Sequence, residues 1–154
     1  MGGVIGEKQA DDLFLIQIRL FRLAQNKWNL DEEKCSELFN RYKIYDYIET
    51  CYEFFHVQGD EANLADIENF LKNNGAKIFK IQKMTLSKYE YSMELLAAMA
   101  CKTIAEQKKI PQIKAFDSFI KSKTANMLFD ERTAFWCNGP DYIADEYNRE
   151  MGTL

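Results

Sequence analysis

The sequence predicts an all-α chain, a compact bundle of about six to eight helices. Two observations predict it. The 154 residues include only 7 Gly and 2 Pro, too few turn formers for the many turns of an all-β fold. Apolar residues also recur at helical spacing between well-placed cap residues. With 47% hydrophobic and 29% charged residues the composition is that of a globular chain, and its 11 Phe and 8 Tyr dominate the expected core.

The first helix is expected from Asp12 to Trp28, capped by Asp11 or Asp12. Leu13, Phe14, Ile16, Leu20, Phe21, Leu23 and Ala24 cover more than one face, which marks a central helix. Asp31 caps a second helix, in which Glu32 and Glu33 suit the positive end of the dipole and Leu38, Phe39 and Tyr42 form the inner face. A third segment, Tyr45 to His56, continues the helical spacing through Tyr47, Ile48, Cys51, Tyr52 and Phe55. Asp60 is expected to cap a fourth helix, with Leu64, Ile67, Phe70 and Leu71 inside, ended by Asn73-Asn74-Gly75. Residues 76–86 read as a packed connector, because Ile78, Phe79 and Ile81 are too apolar for a free tether. Ser87-Lys88-Tyr89-Glu90 matches a capping box and opens a long helix to about Lys108, with Tyr89, Met93, Leu96, Ala100 and Ile104 along one side. Pro111 sits where a first-turn proline is tolerated, before a helix carrying Ile113, Phe116, Phe119 and Ile120. Residues 123–138 are apolar without clear periodicity. Asn138-Gly139-Pro140-Asp141 is a turn, and Tyr142, Ile143, Tyr147 and Met151 indicate a last helix.

Sliding the chain on itself by eighty positions superposes several of these features. Residues 12–28 fall on 92–108, Leu30 on Ile110, Phe39 on Phe119, Tyr47-Ile48 on Met127-Leu128 and Gly59 on Gly139. Leu64-Ala65-Asp66 meets Ile143-Ala144-Asp145 after a one-residue slip. The expected organisation is therefore two pseudo-repeated halves, 11–75 and 87–152, joined by 76–86 and sharing one core.

The first half resembles a bacterial family of uncharacterised domains of about seventy residues. The resemblance covers residues 11–74. It rests on Leu30, Leu38-Phe39 and Tyr42, then Ile44, Asp46-Tyr47-Ile48, then Tyr52, His56 and Gly59, and finally Asp66-Ile67 and Phe70-Leu71. The second half, with Leu128-Phe129-Asp130-Glu131, Thr133 and Gly139-Pro140, looks like a companion domain. Members of the family are often encoded beside a protein with an ADP-ribosyltransferase-like fold. That arrangement resembles a toxin–antitoxin pair, so the resemblance implies a small helical neutraliser that binds a toxin from an adjacent gene. The family brings no catalytic residues to carry over.

No apolar run approaches the ~20 residues that span a bilayer, and MGGVIGEKQA lacks both a signal-peptide pattern and the full myristoylation pattern; the expected location is cytoplasmic. Cys35, Cys51, Cys101 and Cys137 are read as reduced thiols, three of them in helical patterns. With a single histidine and no C-x-x-C, neither a metal nor a cofactor is expected.

Charge divides unevenly. Residues 1–76 hold 8 basic and 14 acidic side chains, a net −6, and residues 77–154 hold 12 basic and 10 acidic, a net +2. The lysine-rich segment 72–123 carries Lys77, Lys80, Lys83, Lys88, Lys108, Lys109, Lys114, Lys121 and Lys123, interleaved with Phe79, Tyr89 and Phe116, without one arginine. Phosphate binding would need these lysines on one surface; solvated helix faces, an acidic partner or the acidic half of a second copy are the other readings. His56 would need an orienting partner and a nucleophile to act as a base, whereas a packed or capping histidine needs neither. The adjacent carboxylates Asp11/Asp12, Glu32/Glu33, Asp60/Glu61, Asp130/Glu131 and Asp145/Glu146 fit helix starts and polar faces better than a catalytic pair. Phosphate-loop, zincin and nucleophile-elbow motifs are missing.

The expected function is accordingly non-enzymatic protein binding, antitoxin-like. Candidate contact residues are Trp136, Tyr142, Tyr147, Lys108, Lys109, Lys114 and Lys121. Leu38, Phe39, Tyr47, Ile48, His56, Gly59, Asp66 and Ile67 are the structural residues of the family pattern. The alternatives are a nucleic-acid-binding regulator using 72–123, a homodimer, and an enzyme built around His56.

Overall fold

A computed structural model describes residues 6–77 and 86–152. Among the described residues the chain is all-α, without strands. Most of the connector expected at 76–86, with Ile78, Phe79, Lys80, Ile81 and Lys83, lies outside them, as does the N-terminal Gly2. The chain divides into two compact units, Met1–Met84 and Thr85–Leu154.

The first unit holds α1 (Glu7–Lys27), α2 (Glu32–Arg41), α3 (Ile44–Thr50), α4 (Tyr52–Phe55) and α5 (Asp60–Asn73). The second holds α6 (Glu90–Lys108), α7 (Gln112–Phe119), α8 (Lys123–Leu128), two 3-10 turns at Glu131–Thr133 and Phe135–Cys137, and α9 (Pro140–Glu150). In the first unit α2, α3 and α5 pack on α1; in the second α7, α8 and α9 pack on α6. The segment expected as one helix over 45–56 breaks at Cys51, whose dihedrals leave the helical region at φ −96°, ψ 13°. Asp31 caps α2 as expected, accepting from the Lys34 amide at 2.8 Å.

Other caps differ from expectation. α1 starts a turn and more before Asp12, at Glu7 after the N-cap Gly6. Gly59 rather than Asp60 is the N-cap of α5, and Pro111 is the N-cap of α7 rather than a residue inside it. The capping box does not form. Tyr89 rather than Ser87 is the N-cap of α6, and Glu90, its first residue, is buried. The Ser87 hydroxyl instead accepts from the Tyr89 amide at 3.1 Å and donates to Glu131 at 2.7 Å.

The eighty-residue echo is a property of the fold. α2 and α7 begin at Glu32 and Gln112, and α5 and α9 begin at Asp60 and Pro140. Gly59 and Gly139 are both extended N-caps, with φ/ψ of −72°/157° and −75°/166°. Asn29 and Lys109, which leave α1 and α6, are both left-handed, at φ 53° and 56°. Burial follows the same register. α1 buries Leu13, Phe14, Ile16, Gln17, Ile18, Leu20, Phe21, Ala24 and Gln25, and α6 buries Glu90, Met93, Glu94, Ala97, Ala98, Ala100, Cys101, Ile104 and Ala105; all but Ile16 and Glu90 coincide after a shift of eighty. Cys35, Ser36 and Phe39 of α2 match Ala115, Phe116 and Phe119 of α7, and Ile44, Tyr45 and Ile48 of α3 match Thr124, Ala125 and Leu128 of α8. Asn63, Leu64 and Ile67 of α5 match Ile143, Ala144 and Tyr147 of α9, so the one-residue slip is not needed. Even a polar contact recurs: Lys27 donates to Glu68 at 3.1 Å, and eighty residues on Asn148 donates to Gln107 at 2.8 Å. Shared helix periodicity would not by itself reproduce turn conformations, caps and a helix–helix contact.

Candidate functional site

The sequence-predicted residues fall on both units. Phe39, Ile48 and Ile67 are fully buried and Leu38, Tyr47 and Asp66 half-buried. Tyr47 stacks on Phe70 with centroids 4.2 Å apart. Among the aromatic candidates Tyr147 is misassigned as a contact residue. It is 4% exposed and packs against Phe119 at 5.6 Å, because its position on α9 is the inward one that Ile67 occupies on α5. Trp136 is half-buried, stacked on Tyr89 at 4.3 Å, and Tyr142 is exposed beside Phe135.

Among the candidate lysines an acid is interposed. Lys108 and Lys109 end α6, with the Lys108 ammonium 5.8 Å from the Tyr147 ring. Lys114 and Lys121 lie seven residues apart on the α7 side, but Asp117 stands between them and pairs with Lys121 at 3.5 Å. An acid inside the patch weakens its pull on phosphate.

His56 lies on the surface at the C-terminus of α4. Its ring stacks on Tyr52 at 4.9 Å with a 12° interplanar angle, and Nε2 stands 3.9 Å from the Glu53 carboxylate. Tyr52 donates to Asp12 at 2.6 Å; that hydrogen bond, with some burial, pushes the phenol up to about 12. The arrangement ties α4 to α1 and orients His56 outward. Beside it the short α4 turns Phe55 into the core at 3% exposure and leaves Phe54 and Val57 on the outside at 70% and 73%. Glu49 and Glu53 are exposed nearby in the chain.

The second unit has an open cleft lined by Leu86, Ser87, Lys88, Phe129, Asp130, Glu131 and Arg132. Its polar groups largely satisfy one another. Arg132 makes a two-pronged contact with Asp130 at 3.0 and 2.9 Å, which holds the Asp130 carboxyl below the usual range, and Ser87 bonds Glu131. No cluster of three or more His, Cys, Asp or Glu suited to a metal occurs among the described residues. No helix among them is long and apolar enough to cross a membrane. All four cysteines are free thiols, with Cys35 and Cys101 buried, Cys51 half-buried and Cys137 exposed.

Sequence reasoning missed Phe54 and Val57, and likewise Tyr91, Leu95 and Met99 on α6, which are 53%, 39% and 46% exposed. The available signal was that all five fall off the apolar stripe of their own segment.

Among curated proteins and among solved structures, no match was found. Residues 17–74, running from within α1 to the end of α5, match the sequence family described as a protein of unknown function (DUF3791), so the helical part of the first unit is similar to an uncharacterised small domain.

Proposed function

We propose that this chain acts by stoichiometric protein binding without catalysis, as the antitoxin-like partner of an ADP-ribosyltransferase-like toxin encoded beside it in a bacterial genome. The observation that carries the binding part is the exposed Phe54/Val57 pair beside His56, on the unit that matches the family. Large apolar side chains left exposed on a surface are what interfaces are anchored on. Fully covering a Phe and a Val is worth about 1.5–3 kcal/mol each, enough to matter to an interface. The toxin assignment rests on the family resemblance.

Co-expression with the adjacent gene product tests the proposal. The expected result is a stable complex that co-purifies and relief of the partner's toxicity. Absence of a complex together with unrelieved toxicity would overturn it.

A further inference from the structure

The internal repeat runs through the segment that carries the exposed Phe54/Val57 pair. The Phe54 amide donates to the Cys51 carbonyl at 2.9 Å, and the Val57 amide donates to the Phe54 carbonyl at 3.2 Å. Eighty residues on, the Ala134 amide donates to the Glu131 carbonyl at 3.2 Å, and the Cys137 amide donates to the Ala134 carbonyl at 3.0 Å. Phe55 recurs as Phe135 and Gly59 as Gly139. The same turn hydrogen bonds at the same spacing fix the register of the two segments residue by residue.

The outward positions have diverged within that register. Phe54 corresponds to Ala134 and Val57 to Cys137, so small side chains stand where the first unit exposes two large apolar ones. The backbone has changed with them. Phe54 lies inside α4, whereas Ala134 is left-handed at φ 55°, a conformation that a bulky side chain occupies only under strain. His56, on the surface of the first unit, corresponds to Trp136, which is half-buried against Tyr89. The Trp136 indole also donates to the Glu131 carbonyl at 3.3 Å, and Ser87 donates to the Glu131 carboxylate. The second unit thus uses its own chain, through Ser87 and Tyr89, to hold the segment that the first unit leaves outward.

We infer that the second unit is a diverged copy of the first that has lost its docking face, so that the chain binds one partner molecule, through the first unit, and not two. This rests on the reading of Phe54 and Val57 as the docking pair. The match to the uncharacterised family covers the copy that keeps them. Without a Phe and a Val to bury, a face of this kind binds at least about tenfold more weakly.

Isothermal titration of the full chain with the adjacent gene product reads stoichiometry and affinity together, and fluorotryptophan labelling makes Trp136 a reporter at the lost face. The wild type is expected to take up one equivalent and to leave the Trp136 resonance unshifted. Phe54→Ala with Val57→Cys, studied under reducing conditions, installs at two exposed positions the side chains that the second unit carries. This double variant is expected to keep the wild-type urea midpoint and to bind at least about tenfold more weakly, with no site left at the wild-type affinity. Two equivalents for the wild type, falling to one tight equivalent in the variant, would overturn the inference and leave the Phe54/Val57 reading standing. One equivalent that the variant binds undiminished would overturn that reading and the inference with it, as would no binding by the wild type. A Trp136 resonance that shifts on binding would place the partner on the second unit's segment and overturn the confinement to the first.

Discussion

Glu150, the last residue of α9, carries a cap on a different helix. Its carboxylate accepts from the Lys123 amide at 2.9 Å, the Thr124 amide at 2.8 Å and the Thr124 hydroxyl at 2.6 Å. Ser122 accepts from the Ala125 amide at 3.0 Å. Together they satisfy the orphan amides of the first turn of α8, a six-residue helix that could not stand on its own propensity. Removing an N-cap side chain costs about 0.5–2 kcal/mol. Glu150 takes two amides but is largely exposed, so Glu150→Ala is expected to destabilise the second unit by about 1 kcal/mol. With a urea slope near 1 kcal/mol per M for a unit of this size, the midpoint falls by about 1 M. The sign of the pH dependence follows from the carboxyl's pKa. Partial burial works to raise it, but the Thr124 hydroxyl and the Lys123 and Thr124 amides outweigh burial and the net shift is downward. A depressed folded pKa contributes stability fully present above the unfolded value, near 4.5, and lost as pH falls through the folded value. The gap between wild type and Glu150→Ala should therefore be constant from pH 7 to about 5 and close below 4.5. The chain has 2 Trp, Trp28 in the first unit and Trp136 in the second, so fluorotryptophan resonances in a urea titration report each unit separately. A Trp136 midpoint unchanged by the substitution at pH 7, or a gap that persists undiminished at pH 3, would refute the reasoning.

The left-handed residues after α1 and α6 give a second prediction: Lys109→Gly should stabilise the second unit by about 0.5–1 kcal/mol, since a side chain at positive φ is strained, whereas Asn29→Gly should change the first by only a few tenths, both read as urea midpoints. Thiol accessibility gives a third. At pH 8 Cys137 should react fastest with a thiol-specific disulfide reagent, while Cys35 and Cys101, buried and with their pKa pushed up by burial, should react only on unfolding. Rapid labelling of Cys101 in the native chain would contradict the packing of α6.

Much of the fold was legible in the sequence because burial and helix period coincide. Ile18, Phe21, Phe39 and Ile67 lie on apolar stripes and are buried, and the Gly59/Gly139 correspondence marked the repeat. The break at Cys51 was not legible, since the apolar spacing runs on unchanged from Ile48 to Phe55 and only tertiary packing stops the helix. The Ser87–Glu90 signature misled for a related reason: the Ser87 hydroxyl is taken by the Tyr89 amide and the distant Glu131, and the helix starts after Tyr89. The same limit explains the surface. Periodicity tells which face of a helix is apolar, and so placed Phe55 and Met93 inside, but not which remaining apolar residues lack a neighbour to cover them. Phe54, Val57 and Met99 are such residues. Tyr147 is the converse, an aromatic read as a contact residue whose register on α9 turns it inward.

The most direct test of the binding account is a titration of the adjacent gene product's activity with this chain and with its Phe54→Ser/Val57→Ser variant. Both positions are exposed, so the variant should keep the wild-type urea midpoint within the ~0.5 kcal/mol typical of surface changes. Neutralisation by the wild type is predicted to be linear and to end at equimolar protein, and the variant is predicted to bind at least about tenfold more weakly. Neutralisation by far less than one equivalent would reveal turnover rather than binding, and undiminished neutralisation by the folded variant would remove the Phe54/Val57 surface from the account.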